Sequence, residues 1–219
     1  MVIRQRAMQA EDKQERYTAI LDAAERLLAS GPERVASVAE VADEAGLAKG
    51  TVYLYFPSKE ELLLAVHERG IDGFFRAVIA RAEAAPPLAI DDMLRLTREH
   101  IVVPPLFLKL AAHCFGFMAH GIPEAAAAAF RQRMDVRLTR AGAGIERHFP
   151  QLPRGGGVTL LRQSYALIMG LWMMARGAGE AGACGASDAR AQPFPLELEQ
   201  ALRALWQGTL GLPRDVPQR

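Results

Sequence analysis

The sequence predicts an all-α protein, and three observations support this prediction. Apolar residues recur at intervals of three and four, whereas no stretch alternates apolar and polar residues as a half-buried strand would. Glycine and proline residues interrupt the pattern between segments of helical length, as at Gly31, Gly46 and Pro86. Two serines each precede a glutamate by three residues, which is the spacing of a capping box at a helix start.

The N-terminal part of the chain predicts three helices. The first, in RYTAILDAAERLLASG, has an apolar stripe that includes Ile20 and ends at Gly31. The second, in SVAEVADEAG, begins at the capping box of Ser37 and Glu40. The third covers residues 49–56 and stops at a proline, so it has only about two turns.

A fourth predicted helix begins at the second capping box, Ser58 and Glu61, and extends to about residue 85. Prolines and glycines then separate five more predicted helices, at roughly 90–103, 106–120, 123–149, 158–177 and 195–211. The stretch GAGEAGACGASDARAQPFP before the last helix is rich in small and polar residues, so we expect a mobile loop there.

We expect two domains and a cytoplasmic location. Residues 1–57, with an arm at 1–12, form the N-terminal domain, and residues 58–219 form the C-terminal domain. Half of the 219 residues are hydrophobic and 23% are charged, which is typical of a soluble globular protein. The longest uncharged apolar stretch, QSYALIMGLWMMA, is too short to span a bilayer, so no membrane partner is expected. The N-terminus lacks an apolar secretory signal, and two cysteines do not form a disulfide framework.

The second and third helices are joined by a short turn that contains glycine. This spacing is typical of a helix-turn-helix, whose second helix enters the DNA major groove. On a helical wheel of the third helix, Val52 and Phe56 face the core. The opposite face carries residues suited to approach or read DNA, namely Gly50, Thr51, Leu54 and Tyr55. Candidates for phosphate contacts are Lys49, Tyr53, Lys59 and the helix start at Ser37.

Charge alone does not indicate DNA binding. The net charge is +1, and the first 60 residues hold eight basic and ten acidic residues, a balance of −2. DNA binding must therefore rest on where the basic groups lie. The alternative is that the tyrosines merely pack against neighbouring helices. The glycine turn, the capping boxes and the polar and aromatic outer face together favour contact with DNA.

These residues resemble the DNA-binding region of the TetR family of bacterial transcriptional regulators. The resemblance covers about residues 14–65 and centres on AG-x-x-KGT-x-Y-x-YF-x-SKE-x-L. It implies an all-helical homodimer that binds a palindromic double-stranded DNA operator, with a C-terminal domain that binds a small effector and dimerises. By motif position, the implied DNA contacts are Ser37, Lys49, Gly50, Thr51, Tyr53, Tyr55 and Lys59. Two residues depart from the family pattern: Ala48 replaces a Ser or Thr cap, and Leu54 replaces a polar or aromatic residue.

The last two predicted helices are apolar enough to form a dimer interface. Apolar residues cover nearly the whole circumference of helix 158–177, so one face can pack within the chain while another needs a partner. The predicted interface contains Leu161, Ile168, Leu198, Leu202, Leu205 and Trp206. The alternative is that both helices are buried within one chain. A two-fold dimer would place two recognition helices about one DNA turn apart.

Large side chains in the middle of the chain are candidates for an effector pocket. They are Phe74, Met93, Phe107, His113, Phe117, Tyr165, Met169, Trp172 and Met173. The adaptable methionines favour an apolar or aromatic ligand. The alternative is that these side chains form the core, which is the commoner use of aromatic and Met residues at helical spacing.

The sequence thus predicts a DNA-binding transcriptional regulator, specifically a repressor released by a small apolar or aromatic effector. An activator, or a regulator controlled by a protein partner, would use the same fold, and the sequence does not separate these. A helical-bundle enzyme is disfavoured because no zinc, phosphate-loop or nucleophile-elbow motif is present. We therefore predict no catalytic residue, no metal and no cofactor.

Overall fold

Helices make up all the regular structure in the part of the chain that the computed structural model describes, residues 2–30, 36–118, 121–180 and 193–211. The α-helices are α1 (Val2–Ser30), α2 (Val38–Glu44), α3 (Lys49–Tyr55), α4 (Lys59–Glu83), α5 (Ile90–Thr97), α6 (Phe107–Met118), α7 (Glu124–His148), α8 (Gly156–Glu180) and α9 (Phe194–Leu210). One π-helical turn, Arg98–Val102, follows α5 directly. The all-α prediction is confirmed.

The first helix is longer than the sequence predicted. Because α1 begins at Val2, residues 2–12 continue the helix, although we expected them to form an arm. Their sequence is rich in Arg, Gln, Ala, Met and Glu, which are strong helix formers, but it lacks the apolar stripe that revealed the later turns. Most of the loop predicted before α9 lies at residues 181–192, outside the described residues.

The first compact unit contains the chain up to Gly70 together with Pro105–Ala127. It comprises α1, α2, α3, the first half of α4, and α6. Buried side chains from these elements form its core, including Ile20, Val41, Val52, Phe56, Leu63 and Leu110. This unit is larger than the predicted segment 1–57, because α4 and α6 supply part of the core on which α1, α2 and α3 pack.

The second compact unit contains Ile71–Pro104 and the chain from Ala128 onward. Its most buried large side chains include Val78, Ile145, Leu160, Ile168, Leu198 and Trp206. Trp206 Nε1 donates a hydrogen bond to Ser164 Oγ at 3.0 Å, and the Trp206 ring meets Phe149 edge-on with centroids 6.0 Å apart. These contacts hold α9 against α8 and against the residue that follows α7.

In this second unit, α7 and α8 cross at two glycines. A Cβ atom on Gly157 would overlap the carbonyl oxygen of Gly142, and a Cβ on Gly142 would lie 2.7 Å from the backbone nitrogen of Val158. Both positions therefore need glycine, because the two backbones touch without intervening side chains. Among the described helices, none has the length and hydropathy needed to cross a membrane.

Candidate DNA-contacting surface

The candidate surface begins at the capping box of α2. Ser37 Oγ accepts a hydrogen bond from the Glu40 amide at 3.3 Å, and the Glu40 carboxylate accepts one from the Ser37 amide at 2.8 Å. This reciprocal pair satisfies two backbone donors at the helix start. The capping box predicted from the sequence is confirmed, and it engages Ser37, the residue at the helix start that we also predicted to contact DNA.

A fixed turn connects α2 to α3. Gly46 has φ +66°, a left-handed conformation that residues with a Cβ atom rarely adopt. The Leu47 amide donates to the carbonyl of Ala42 at 2.9 Å, and the Gly46 amide donates to that of Asp43 at 3.1 Å. These bonds set the direction in which the chain enters α3.

Buried side chains anchor α3, since the helix has only seven residues. Val52 is fully buried, and Phe56 is buried with its ring centroid 5.1 Å from that of Tyr17. Ala48, the residue before the helix, has extended backbone and offers no side-chain cap. Because an isolated helix this short is unstable in water, its attachment to the core holds it in place.

The outer face of α3 presents apolar and aromatic groups to solvent. Leu54 is 84% exposed and Tyr53 is 42% exposed. Lys49 Nζ lies 5.9 Å from the centroid of the Tyr53 ring, so a cation and an aromatic face adjoin each other. Apart from the backbone of α3 itself and the neighbours of Gly50 in the chain, nothing lies within 4 Å of the point where a Cβ of Gly50 would sit, which leaves its backbone accessible.

Two of the predicted contact residues differ from their predicted orientation. Tyr55 was expected on the outer face, but it is half-buried and packs against the core of the first unit. It follows Val52 by three residues and directly precedes Phe56, so it lies beside the buried stripe. Tyr53, expected nearer the core, is the exposed tyrosine of the pair. Thr51 and Lys59 are half-buried.

Ion pairs neutralise several acidic groups of the first unit. Glu44 pairs with Arg26 at 2.7 Å, and Arg69 pairs with both Asp22 and Glu25. These pairs do not change the total, since Arg26 is already counted in the balance of −2, and residues 1–70, which include Arg69, hold nine basic and twelve acidic residues. The position of basic groups, as on α3, matters more than the total.

The residues predicted to line an effector pocket divide between the two units and between core and surface. Phe74, Met93 and Met169 are core side chains of the second unit, and Tyr165 and Trp172 are half-buried there. Met173 is 61% exposed, so it lies on the surface. Phe107 and His113 belong to the first unit, where Phe107 is buried and His113 is exposed. The side chain of Phe117 lies outside the described residues.

The residues predicted for the dimer interface need a correction. Leu161, Ile168, Leu198, Leu202 and Trp206 are at most 6% exposed because the chain covers them itself. Of the six predicted residues, Leu205 alone is half-buried. The helical pattern identified apolar faces correctly but did not show which face the chain's own core occupies. Among the described side chains of α8, the large hydrophobic ones that are exposed are Met173 and Met174, and the sequence prediction missed Met174.

Groups that could hold a metal ion are absent from the described residues, because no three His, Cys, Asp or Glu side chains cluster there.

The sequence prediction also missed a groove of about 220 Å³ in the second unit. None of the predicted pocket residues lines it, and the π-helical turn that forms part of its wall has no signature in the sequence.

Two family models match this chain. The model described as bacterial regulatory proteins, tetR family, matches residues 20–66, and the model of the tetracyclin repressor-like C-terminal domain matches residues 68–211. The chain belongs to the TetR family. The first match covers α2, the turn and α3 of this TetR-family chain, so the candidate surface lies within the matched region.

Curated relatives share part of their length with this TetR-family chain. It is 34% identical over 64 residues to the fatty acid metabolism regulator protein of Bacillus subtilis. It is 41% identical over 69 residues to the HTH-type transcriptional regulator EthR of Mycobacterium tuberculosis. The alignments cover 29% and 32% of the chain and 33% and 32% of the relatives, so only about a third of each relative is matched.

Solved structures share the fold over most of the TetR-family chain. A TetR-family regulator from Mesorhizobium loti aligns with a TM-score of 0.51 and 19% identity, covering 90% of this chain and 96% of that one. The regulator LfrR from Mycobacterium smegmatis, solved in complex with proflavine, aligns with a TM-score of 0.50 and 23% identity. It covers 90% of this chain and 97% of its own. At these identities the likeness concerns the fold alone.

Proposed function

We propose that this protein is a sequence-specific DNA-binding transcriptional regulator that acts as a homodimer on a palindromic operator. The exposed face of α3 carries the proposal. Leu54, which is 84% exposed, lies on a helix whose orientation is fixed by a glycine turn and by two buried side chains. Contact with a thymine methyl in the major groove would cover that apolar surface.

The geometry suggests separate roles for the residues of α3. Leu54 and Thr51 reach base edges, and Gly50 lets the backbone come close to the DNA. Lys49, Tyr53 and Lys59 contact phosphates, which position the helix without reading sequence. Tyr55 supports the helix from its inner side, where it packs on the core.

The proposed dimer uses the part of α8 and α9 that the chain leaves uncovered. Met173 and Met174 are 61% and 73% exposed, and Leu205 on α9 is half-buried. A second copy related by a two-fold axis would cover these side chains and would match the symmetry of a palindrome. Two neighbouring exposed methionines on one helix support an interface there.

Membership of the TetR family supports a repressor that a small effector releases. To act as an efficient switch, the effector must bind the released state about 10⁴-fold more tightly than the DNA-bound state. An activator of the same fold is the second candidate, because the sign of regulation depends on where the operator lies relative to a promoter. We propose no catalytic activity and a cytoplasmic location.

Selection of the purified protein against a random double-stranded DNA pool, followed by sequencing, tests this function. We expect an enriched inverted repeat, which would demonstrate sequence-specific binding and two-fold symmetry together. The control is the double variant Lys49→Ala, Leu54→Ala, which removes the proposed contacts without touching the buried anchors. Failure of the folded wild-type protein to enrich any sequence at low salt would refute the proposal.

A further inference from the structure

A groove in the second unit lies between α5, the π-helical turn and the first turns of α9. Its volume is about 220 Å³. The residues that line it are Leu94, Thr97, Arg98, Val102, Pro195, Leu196, Leu198, Glu199 and Leu202. Most of this surface is aliphatic, and the polar groups are one hydroxyl, one guanidinium and one carboxylate.

The π-helical turn forms one wall of the groove. The Val103 amide donates to the carbonyl of Arg98 at 2.9 Å, which is the i to i+5 bond of a π-helix. Such turns are rare, less stable than α-helix, and frequent at functional sites. Here the widened turn contributes Arg98 at its first position and Val102 at its last, so a cation and an apolar side chain both face the groove.

The charged groups at the groove balance, with Arg98 and Arg203 against Glu199 and Asp91. Glu199 pairs with Arg203 at 3.6 Å, and Arg203 also pairs with Asp91 at 2.7 Å. Arg98 takes part in neither of these described ion pairs, although it lines the same groove. The positive end of the α9 dipole favours an anion here, because Pro195 and Leu196 in the first turn of α9 also line the site, whereas Glu197 in the same turn opposes it.

We propose that this groove binds a small amphipathic carboxylate, with the carboxylate on Arg98 and the apolar part against the leucines. A guanidinium binds a carboxylate through two parallel hydrogen bonds, which gives both affinity and orientation. Drug-sized ligands occupy pockets of about 300–1,000 Å³, so a groove of 220 Å³ suits a shorter molecule. Binding stands independently of DNA recognition, whereas its use as the effector site rests on the proposed function.

The first experiment measures binding of octanoate to the full chain without DNA, by isothermal titration calorimetry. Two control probes have the same chain length as octanoate: octanol, which is uncharged, and octylamine, which is positively charged. We expect saturable octanoate binding with a Kd below about 1 mM and at least tenfold weaker binding of the other two probes. The absence of octanoate binding, or equal binding of octylamine, would overturn the proposal.

Substitutions in the groove test whether octanoate binds there. Arg98→Gln should weaken octanoate binding at least tenfold, and Glu199→Gln should strengthen it two- to threefold because it removes a rim carboxylate. Arg95→Gln is the matched control, since it alters a neighbouring arginine that does not line the groove, and its Kd should equal that of the wild type. Unchanged octanoate affinity in Arg98→Gln would contradict the assignment, and thermal melts confirm that each variant is folded.

A second measurement separates the groove from the regulatory function. Octanoate is titrated into the complex of the protein with its selected DNA, for the wild type and for Arg98→Gln. Release from the wild type alone would support the groove as the effector site. Octanoate binding without release would retain the carboxylate site and reject its effector role, whereas failure to select any DNA would reject the proposed function alone.

Discussion

The helices α3 and α8 are both rich in apolar residues, but they differ in which of these residues the rest of the chain covers. In α3, Val52 is buried, as is Phe56 directly after the helix, while Leu54 faces solvent. In α8, Leu160, Leu161 and Ile168 are buried within the chain's own core, and the exposed methionines stand near the end of the helix. An apolar face therefore indicates function only where the rest of the chain leaves it uncovered.

A buried polar group in each unit also differs in whether it has a hydrogen-bond partner. In the second unit, buried Ser164 accepts a hydrogen bond from Trp206. In the first unit, His67 is 3% exposed and its Nδ1 has no hydrogen-bond partner among the described residues. A buried polar atom without a partner costs folding free energy, so His67 carries a cost that the buried pair of Ser164 and Trp206 avoids.

The largest expected effect comes from the crossing that buries α8. Gly157→Ala should lower the free energy of unfolding by about 3 kcal/mol, because the new Cβ overlaps backbone that cannot move aside like a side chain. Thermal unfolding followed by circular dichroism at fixed protein concentration measures it. Gly116→Ala on α6 is the control, since no atom lies within 4 Å of its new Cβ and helix propensity should give it slightly higher stability. Equal stability of the two variants would mean that the helices do not cross so closely.

The buried histidine of the first unit should make stability depend on pH. Burial lowers the pKa of His67 to about 4 from an ordinary 6.5, so the unfolded chain binds this proton more readily than the folded chain. The free energy of unfolding is therefore not reduced by this group above pH 6.5. It falls by up to about 3 kcal/mol as the pH is lowered from 6.5 to 4. Urea unfolding across this range measures the change. His67→Phe should flatten it, and a slope that survives in this variant would belong to another group.

A pair of substitutions contrasts the two faces of α3. Val52→Ala should lower the free energy of unfolding by about 2 kcal/mol, because it opens a cavity in the core. Leu54→Ala should leave stability within about 0.5 kcal/mol and instead relax preference at one or two base pairs by about 1 kcal/mol. Denaturant unfolding and binding to single-base variants of the selected site measure the two effects. An unchanged base preference in Leu54→Ala would remove this residue from the proposed interface.

The smallest expected effect concerns phosphate contacts. Lys49→Ala should weaken binding to all DNA sequences and reduce the slope of log K against log salt concentration by about one. Lys109→Ala on α6 is the matched control and should leave the slope unchanged. Fluorescence anisotropy with labelled DNA at several salt concentrations measures both slopes. Equal slopes for Lys49→Ala and the wild type would show that this side chain contacts no phosphate.

The features that the sequence predicted well depend on residues close together in the chain. Ser37 and Glu40 are three positions apart, and the structure contains their capping box. Gly46 was expected to end α2, and it adopts the left-handed conformation that suits this role. The features that it missed depend on long-range packing. Trp206 meets Ser164 and Phe149 in the core of its own unit, and helical periodicity cannot show which neighbour covers a given face.

Tyr55 and the π-helical turn illustrate two further limits. The helical wheel assigned Tyr55 to an exposed side of α3, whereas in the structure its side chain packs against the core of the first unit. The π-helical turn inserts one residue into a helix that the sequence predicted as regular over 90–103. Its extra residue shifts the later side chains around the axis, so a periodicity of 3.6 could not identify the groove.

Because Ala48 offers α3 no side-chain cap, protein engineering could change the stability of this helix at that position. Ala48 already has the extended backbone of a capping residue, so Ala48→Ser adds a side-chain acceptor without disturbing the core. Such a cap typically stabilises a helix by about 1 kcal/mol. Under the proposed function, a designer of a biosensor could thus set the rigidity of α3 at one position and shift the threshold of the proposed response without altering the DNA site or the effector.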